Sequence, residues 1–217
     1  MADKRFIHQE NIDSAIRMLK TVLSVLDDYG IKYYLDFGTL IGAVREKAFI
    51  PWDDDIDISL LNSKDFNKIP LVLETIKKDF NYRTYLTTFK QARERRIEAG
   101  KKIYHKEVPF ANYYDYQIAK VRSNKFWIFG RGRTRLDIFF KYELNGYIYW
   151  FADGRINKIK KEFYVKDLIE IDFYDMKCSI PSNYDEYLTE IYGDWKTPNK
   201  KWNHNHNLTL VKNKKNR

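Results

Sequence analysis

The 217-residue chain has a single cysteine, Cys178, and no apolar run approaching the roughly 18 residues that a membrane-spanning helix requires. One thiol excludes an intramolecular disulfide framework and a multi-cysteine zinc ribbon, and it fits a reducing compartment. The opening MADKRFIHQEN carries charges but no apolar stretch behind them that could act as a signal sequence. The expected location is therefore cytoplasmic. Hydrophobic material is not scarce: 44% apolar and 32% charged residues exclude both a disordered polymer and a membrane-embedded protein. A chain of this length supports one core, so we expect a single domain over residues 1–198. The tail, residues 199–217, has six basic and no acidic residues and reads as disordered.

Acidic residues are in the minority, 30 against 39 Lys and Arg, which leaves a net charge of +9. Between Thr88 and Arg135 there are 13 basic and four acidic residues. Such a balance points to an anionic partner: a nucleotide, a phosphorylated glycan, nucleic acid or a membrane surface. Peripheral contact at the inner face of an anionic membrane is one expectation from this charge.

Ile12, Ile16, Leu19, Leu23 and Leu26 form one helical stripe, and Gly30 stands where a C-cap glycine belongs, so the chain opens with an amphipathic helix. A strand is expected over Ile31–Phe37, then a turn at Gly38-Thr39 and a short helical turn through Val44 and Arg45. Asp55–Leu60 alternates acidic and apolar residues as a half-buried strand does. Lys64–Phe80 reads as a helix that Pro70 bends or splits. Residues 91–106 are strongly charged and read as a mobile loop or exposed helix. Further strands are expected over Asp115–Val121, Thr134–Phe140, Tyr147–Phe151 and Ile169–Ser179, and a helix over Tyr184–Tyr192.

The segment PWDDDIDISL, residues 51–60, places four aspartates within five positions. In a strand, side chains two apart share a face about 6.6 Å apart, so Asp55 and Asp57 point together while Ile56 and Ile58 anchor the other face. Two carboxylates then converge on one cation. Asp53, Asp55 and Asp57 also match the first ligands of a helix-loop-helix calcium loop, but Ile58 and Lys64 stand where that loop needs glycine and glutamate. Asp137, in LDIFF, faces away from Leu136 and Ile138 and supplies a candidate third carboxylate. Asp55, Asp57 and Asp137 suit Mg²⁺, with Mn²⁺ as the alternative, at a site completed by phosphate oxygens.

The run GTLIGAVREKAFIPWDDDIDISL, residues 38–60, resembles the signature of the LicD family, which includes the fukutin-type proteins and belongs to the nucleotidyltransferase superfamily. Weaker family-like segments follow at YQIAKVRS, RLDIFF and IPSNYDEYLTEIYGDW. The resemblance implies an α/β (α+β) fold with a nucleotidyltransferase-like mixed sheet flanked by helices, an N-terminal helix and a C-terminal helical and strand extension. It implies Gly38 and Thr39 at the donor phosphates, Asp55 and Asp57 as the metal pair, and Asp137 as the third acid. It also implies transfer of a phospho-alcohol, phosphocholine or a polyol phosphate, from a CDP-activated donor to a sugar hydroxyl of a glycan or lipid-linked glycan.

Arg45, Lys120 and Arg122 are candidate phosphate contacts, because guanidinium and ammonium groups stabilise charge spread over phosphoryl oxygens. Trp52 and Trp195 read as packing anchors, and Cys178 as a small buried residue. His204 and His206 form an H-x-H without a cysteine nearby, a weak zinc pattern. Two rival readings remain at this stage. One is a nucleotidyltransferase that moves NMP to a protein, RNA or small molecule through the same metal site. The other is a basic nucleic-acid-binding module, which the clustered acids disfavour.

Overall fold

A 20-residue helix, α1 (Gln9–Asp28), opens the fold. Its buried stripe is Ala15, Met18, Leu19, Val22, Leu23, Val25 and Leu26, while Ile12 and Ile16 sit at its edge, half-buried. Gly30 ends it at φ +63°, a left-handed turn that strains any residue with a Cβ, and Ile31 N–H closes the cap on Leu26 O at 2.9 Å. The computed structural model describes residues 5–100, 111–112, 115–124, 134–152, 155–202 and 206–211. Residues 101–106 of the charged segment and His204 of the H-x-H pattern lie outside them.

The remaining elements are β1 (Tyr33–Leu35), α2 (Phe37–Ile41), a π-helical turn (Gly42–Glu46), β2 (Ile56–Leu60), a 3-10 turn (Ser63–Lys68) and α3 (Ile69–Phe80). Then come β3 (Arg83–Thr88), α4 (Phe89–Glu98), β4 (Tyr116–Arg122), β5 (Arg135–Phe139), β6 (Tyr142–Leu144), β7 (Tyr147–Ala152) and β8 (Arg155–Lys160). The chain continues through β9 (Leu168–Phe173), β10 (Met176–Pro181) and α5 (Tyr184–Tyr192). The main sheet runs β1-β2-β5-β4-β3, with β2 and β5 parallel and the other neighbours antiparallel. This is the mixed sheet flanked by helices that an α+β chain was expected to form.

Ile56, Ile58, Leu136 and Ile138 on β2 and β5 are fully buried, which makes these two strands the middle of the core. Helices α1 and α3 pack on each other, α1 touching β5 and α3 touching β3. Two smaller units, the β6-β7-β8 meander and the β9-β10 hairpin, complete the body.

Several boundaries differ from the sequence reading. The first strand stops at Leu35 and Phe37 already begins a helix, so Gly38 and Thr39 lie inside the first turn of α2 rather than in a loop. Pro70 splits the expected helix: a 3-10 turn precedes it and α3 starts with the proline in its first turn, where a missing N–H costs nothing. Ile169–Ser179 is not one strand but a hairpin, turning at Tyr174 with φ +54°. Residues 91–98 of the charged segment lie in α4, which is capped by a Thr88–Gln91 capping box. In the basic tail, Thr209 O accepts from Lys158 N–H at 2.9 Å and Val211 N–H donates to Ile156 O at 3.0 Å, so residues 209–211 lie along β8.

Candidate active site

The site begins with a buried polar knot at the end of β1. Asp36 is completely buried and caps α2, accepting from Phe37 N–H at 2.8 Å, Ser59 Oγ at 2.5 Å and Tyr187 OH at 2.9 Å. Lys141 Nζ lies 3.0 Å from Asp36 Oδ2, and its ammonium sits 4.3 Å from the Phe37 ring centre and 4.1 Å from that of Trp150. Burial pushes the Lys141 ammonium down from its ordinary range and the Asp36 charge opposes that shift. Phe37 holds φ +45°, an unfavourable conformation for a side chain of this size, and the three contacts around Asp36 keep it there.

This knot aims α2 at the aspartates. Gly38 lies so close to Asp53 that an added Cβ would collide with its Oδ2, and that Cβ would stand 4.0 Å from Asp57 Oδ2. Thr39 is buried, and its hydroxyl accepts from Asp57 N–H at 2.9 Å, fixing the position of β2 rather than facing the cleft.

Asp57 and Asp137 are directly opposed on the parallel β2-β5 pair, and Asp55 precedes Asp57 on the same face. Asp53, Asp54 and Asp55 each place a carboxylate oxygen within 4.8 Å of the others. Of the three acids singled out from the sequence, only Asp55 belongs to that tight group, while Asp57 and Asp137 border it. The cluster raises its own proton affinity. Burial, then the Asp55 charge, push Asp53 up to about 7. Burial raises Asp55 as well, with Arg135 opposing it. Asp57 is pushed well above the carboxylate range by burial and by the charges of Asp55, Asp53 and Asp137. A set of hard oxygens without His or Cys, already repelling one another, suits Mg²⁺ or Mn²⁺. The missing Gly38 side chain is what lets the Asp53 carboxylate lie where a Cβ would otherwise stand, next to Asp57.

The cations divide differently from the sequence expectation. Lys120 Nζ lies 2.6 Å from Asp137 Oδ2, and Arg122 Nη2 lies 2.6 Å from Asp137 Oδ1. Arg122 also donates to Val121 O at 2.9 Å and Leu136 O at 3.0 Å, and it does not reach the cleft wall, whereas Lys120 does. Arg45 lines the cleft but is tied to Glu46 at 2.8 Å and to Trp195 O at 2.5 Å. Arg135, not singled out from the sequence, pairs with Asp54 and lies 3.4 Å from Asp55.

These groups form one end of a cleft of about 630 Å³. Its floor is Gly38, Asp53, Asp55, Asp57 and Asp137, and its walls are largely aromatic, including Trp52, Phe139, Phe151 and Trp195. Trp195 is buried and donates to Asp185 at 3.1 Å, a packing role that coexists with its place in the wall. Cys178 is fully buried, as expected.

Residues 30–183 match the family model described as LicD/FKTN/FKRP, nucleotidyltransferase domain. Among curated proteins, the chain is 60% identical over 35 residues to the lipopolysaccharide cholinephosphotransferase LicD of Haemophilus influenzae, covering 16% of this chain and 13% of that one. It is 24% identical over 209 residues to the ribitol-5-phosphate transferase FKTN of Mus musculus, covering 92% of this chain and 38% of the mouse protein. A 39-residue stretch is 44% identical to the ribitol 5-phosphate transferase FKRP of Homo sapiens, covering 18% of this chain and 8% of that one. The chain thus spans well under half the length of these relatives. Because the family model covers well over half of its residues, the chain belongs to the LicD/FKTN/FKRP nucleotidyltransferase-domain family.

Proposed function

We propose that this protein transfers a phospho-alcohol group, phosphocholine or a polyol phosphate, from a CDP-activated donor to a sugar hydroxyl of a cell-surface or lipid-linked glycan. The observation that carries the reading is the convergence of Asp53, Asp55, Asp57 and Asp137 on the floor of one aromatic-walled cleft. Relatives named as a cholinephosphotransferase and as ribitol-phosphate transferases support the same class of reaction. The expected setting is the cytoplasm, with peripheral contact at the membrane's inner face. Among the described residues no helix is long and apolar enough to cross a membrane.

Asp55 and Asp57, with Asp53 beside them, would hold Mg²⁺ or Mn²⁺, with Asp137 at the border of the set. A metal held there would supply positive charge to neutralise the donor's diphosphate oxygens as charge develops on them. Lys120, on the cleft wall, moves from Asp137 to the donor phosphates, and Arg45 faces the same space. Arg122 stays with Asp137 through its backbone bonds. The Asp137 oxygen that Lys120 releases accepts the proton of the acceptor hydroxyl. The acceptor oxygen bonds to the phosphorus that bears the alcohol, the bond from that phosphorus to the CMP oxygen breaks, and CMP leaves with the electron pair. The aromatic walls exclude competing water.

A thermal-shift screen of CDP-alcohols with and without Mg²⁺ identifies the donor, and mass spectrometry of the products identifies the reaction. Free CMP together with a phospho-alcohol adduct on the glycan is the expected result. Pyrophosphate with a nucleotidylated acceptor would overturn the proposal in favour of NMP transfer.

A further inference from the structure

The cleft wall also holds an amide with no hydrogen-bond partner among the described residues. Where β4 meets β3 the register slips: Thr87 pairs with Ile118 but Thr88 pairs with Tyr116, so Gln117 is the extra residue of a bulge. Bulges re-aim side chains and recur beside active sites. Gln117 lines the cleft and is only 7% exposed, yet its carboxamide has no hydrogen-bond partner among the described residues. On β7, which packs against β4, the indole N–H of Trp150 is buried without an acceptor among the described residues. The neighbours of Gln117 on β4, β5 and β7 that line the cleft, Ile118, Phe139, Phe151 and Ala152, are apolar, while Thr197, Asn199, Lys200 and Asn207 line it from the C-terminal segment.

Neither carboxamide atom is sealed off from the cleft, so the amide is open to a bound ligand, and a partner supplied there is worth about one hydrogen bond. A carboxamide presents one donor and one acceptor in a plane. The matching ligand has a flat polar edge between apolar faces, which describes a nucleobase. Position agrees as well. Gln117 lies three residues from Lys120 along β4, about 10 Å at strand spacing, a separation comparable to the reach of a nucleotide from phosphate to base.

We propose that Gln117 reads the edge of the donor's pyrimidine base, accepting from the ring's amino or imino N–H and donating to the adjacent ring nitrogen or carbonyl. This rests on the CDP-donor reading above, and the two are separable by experiment. Calorimetric titration of the full chain with Mg²⁺ uses CMP and, as the probe that lacks a base, ribose 5-phosphate. The wild type is expected to bind CMP about tenfold or more tighter than ribose 5-phosphate, the worth of roughly one satisfied hydrogen bond and the ring contacts. Gln117→Leu should shrink that preference to about threefold or less, leave ribose 5-phosphate binding unchanged, and melt no lower than wild type, because it removes an unpartnered polar group. Gln117→Glu, equal in size but without the donor, should weaken CMP in the same selective way and serves if the leucine variant fails to fold.

A CMP preference that survives both substitutions overturns the base-reading role, as does a variant that loses CMP and ribose 5-phosphate equally. Wild-type protein that binds the two probes alike overturns it while leaving the transferase reading intact. Folded wild type that binds no nucleotide overturns both.

Discussion

Asp57 and Asp137 occupy one rung of the parallel β2-β5 pair, yet their charges are treated in opposite ways. Each oxygen of Asp137 has a cation 2.6 Å away, from Lys120 and Arg122, whereas Asp57 has no cationic partner among the described residues. Asp53 and Asp57 are therefore left without a paired cation among the described residues, while β4 neutralises Asp137 and Arg135 of β5 pairs with Asp54 and Asp55. The site is built asymmetrically, and the metal proposed above would sit on its less neutralised side.

That asymmetry predicts an inverse relation between stability and activity for Asp57→Asn. The folded state raises the Asp57 pKa above its unfolded value, so its contribution to stability is present at low pH and is lost as pH rises through the folded pKa. Removing the charge should raise the melting temperature of metal-free protein near neutral pH. The same substitution should abolish the thermal shift caused by Mg²⁺ and lower turnover by about 10²-fold or more. Scanning fluorimetry with and without MgCl₂, beside a product assay, checks all three. Retained activity would sink the assignment.

Gly38→Ala tests whether the first turn of α2 makes room for the acids. The new Cβ would meet a carboxylate oxygen of Asp53, the far end of a side chain that can rotate away. Stability should fall by only about 1 kcal/mol, the low end of overpacking costs, because the backbone need not move. Metal response should suffer far more, since Asp53 has to leave the cluster. Urea unfolding paired with a Mg²⁺ titration separates the two effects; equal losses in both would contradict this account.

The parts of this arrangement visible in the sequence are those carried by local periodicity. The α1 stripe, the alternation in β2 and the proline that starts α3 each depend on neighbours within one or two turns of chain. The β9-β10 hairpin is hidden because its turn has no glycine, proline or asparagine. Tyr174 takes the left-handed conformation instead, and its hydroxyl accepts from Phe49 N–H at 2.9 Å, a tertiary contact that local sequence does not encode. Asp53 carries a legible signal, since it shares the parity of Asp55 and Asp57. The Asp36–Lys141 pair carries none, because nothing near either residue announces the other. The different fates of Lys120 and Arg122 likewise depend on backbone carbonyls of β4 and β5.

Cys178 should be chemically silent in the native protein. It is fully buried, and burial pushes its thiol up to about 12. The thiolate that attacks an alkylating reagent is then absent at neutral pH. Iodoacetamide labelling followed by mass spectrometry should show modification only at the rate of unfolding, with full labelling in denaturant. Rapid labelling of folded protein would place the β10 strand outside the core.

The Asp36–Lys141 pair yields a prediction in which the double variant behaves better than either single one. Both side chains are almost wholly buried, at 0% and 2% exposure. Lys141→Met leaves Asp36 with its hydrogen-bond donors but without its counter-charge, at a cost of about 3–5 kcal/mol, the range for breaking a buried pair from one side. Asp36→Asn strands the Lys141 ammonium between Phe37 and Trp150 at a similar cost. Changing both removes the charges together and should recover most of the loss, because an apolar replacement of a buried ion pair is often neutral. Activity should not recover with stability. The carboxamide introduced by Asp36→Asn cannot accept every bond that the carboxylate accepts, and the strained Phe37 it steadies holds Gly38 beside Asp53. A double-mutant cycle in urea, read alongside Mg²⁺ affinity, decides the matter. Additive losses in the cycle would show that the pair is not coupled, and recovery of metal binding with stability would show that it does not position the turn.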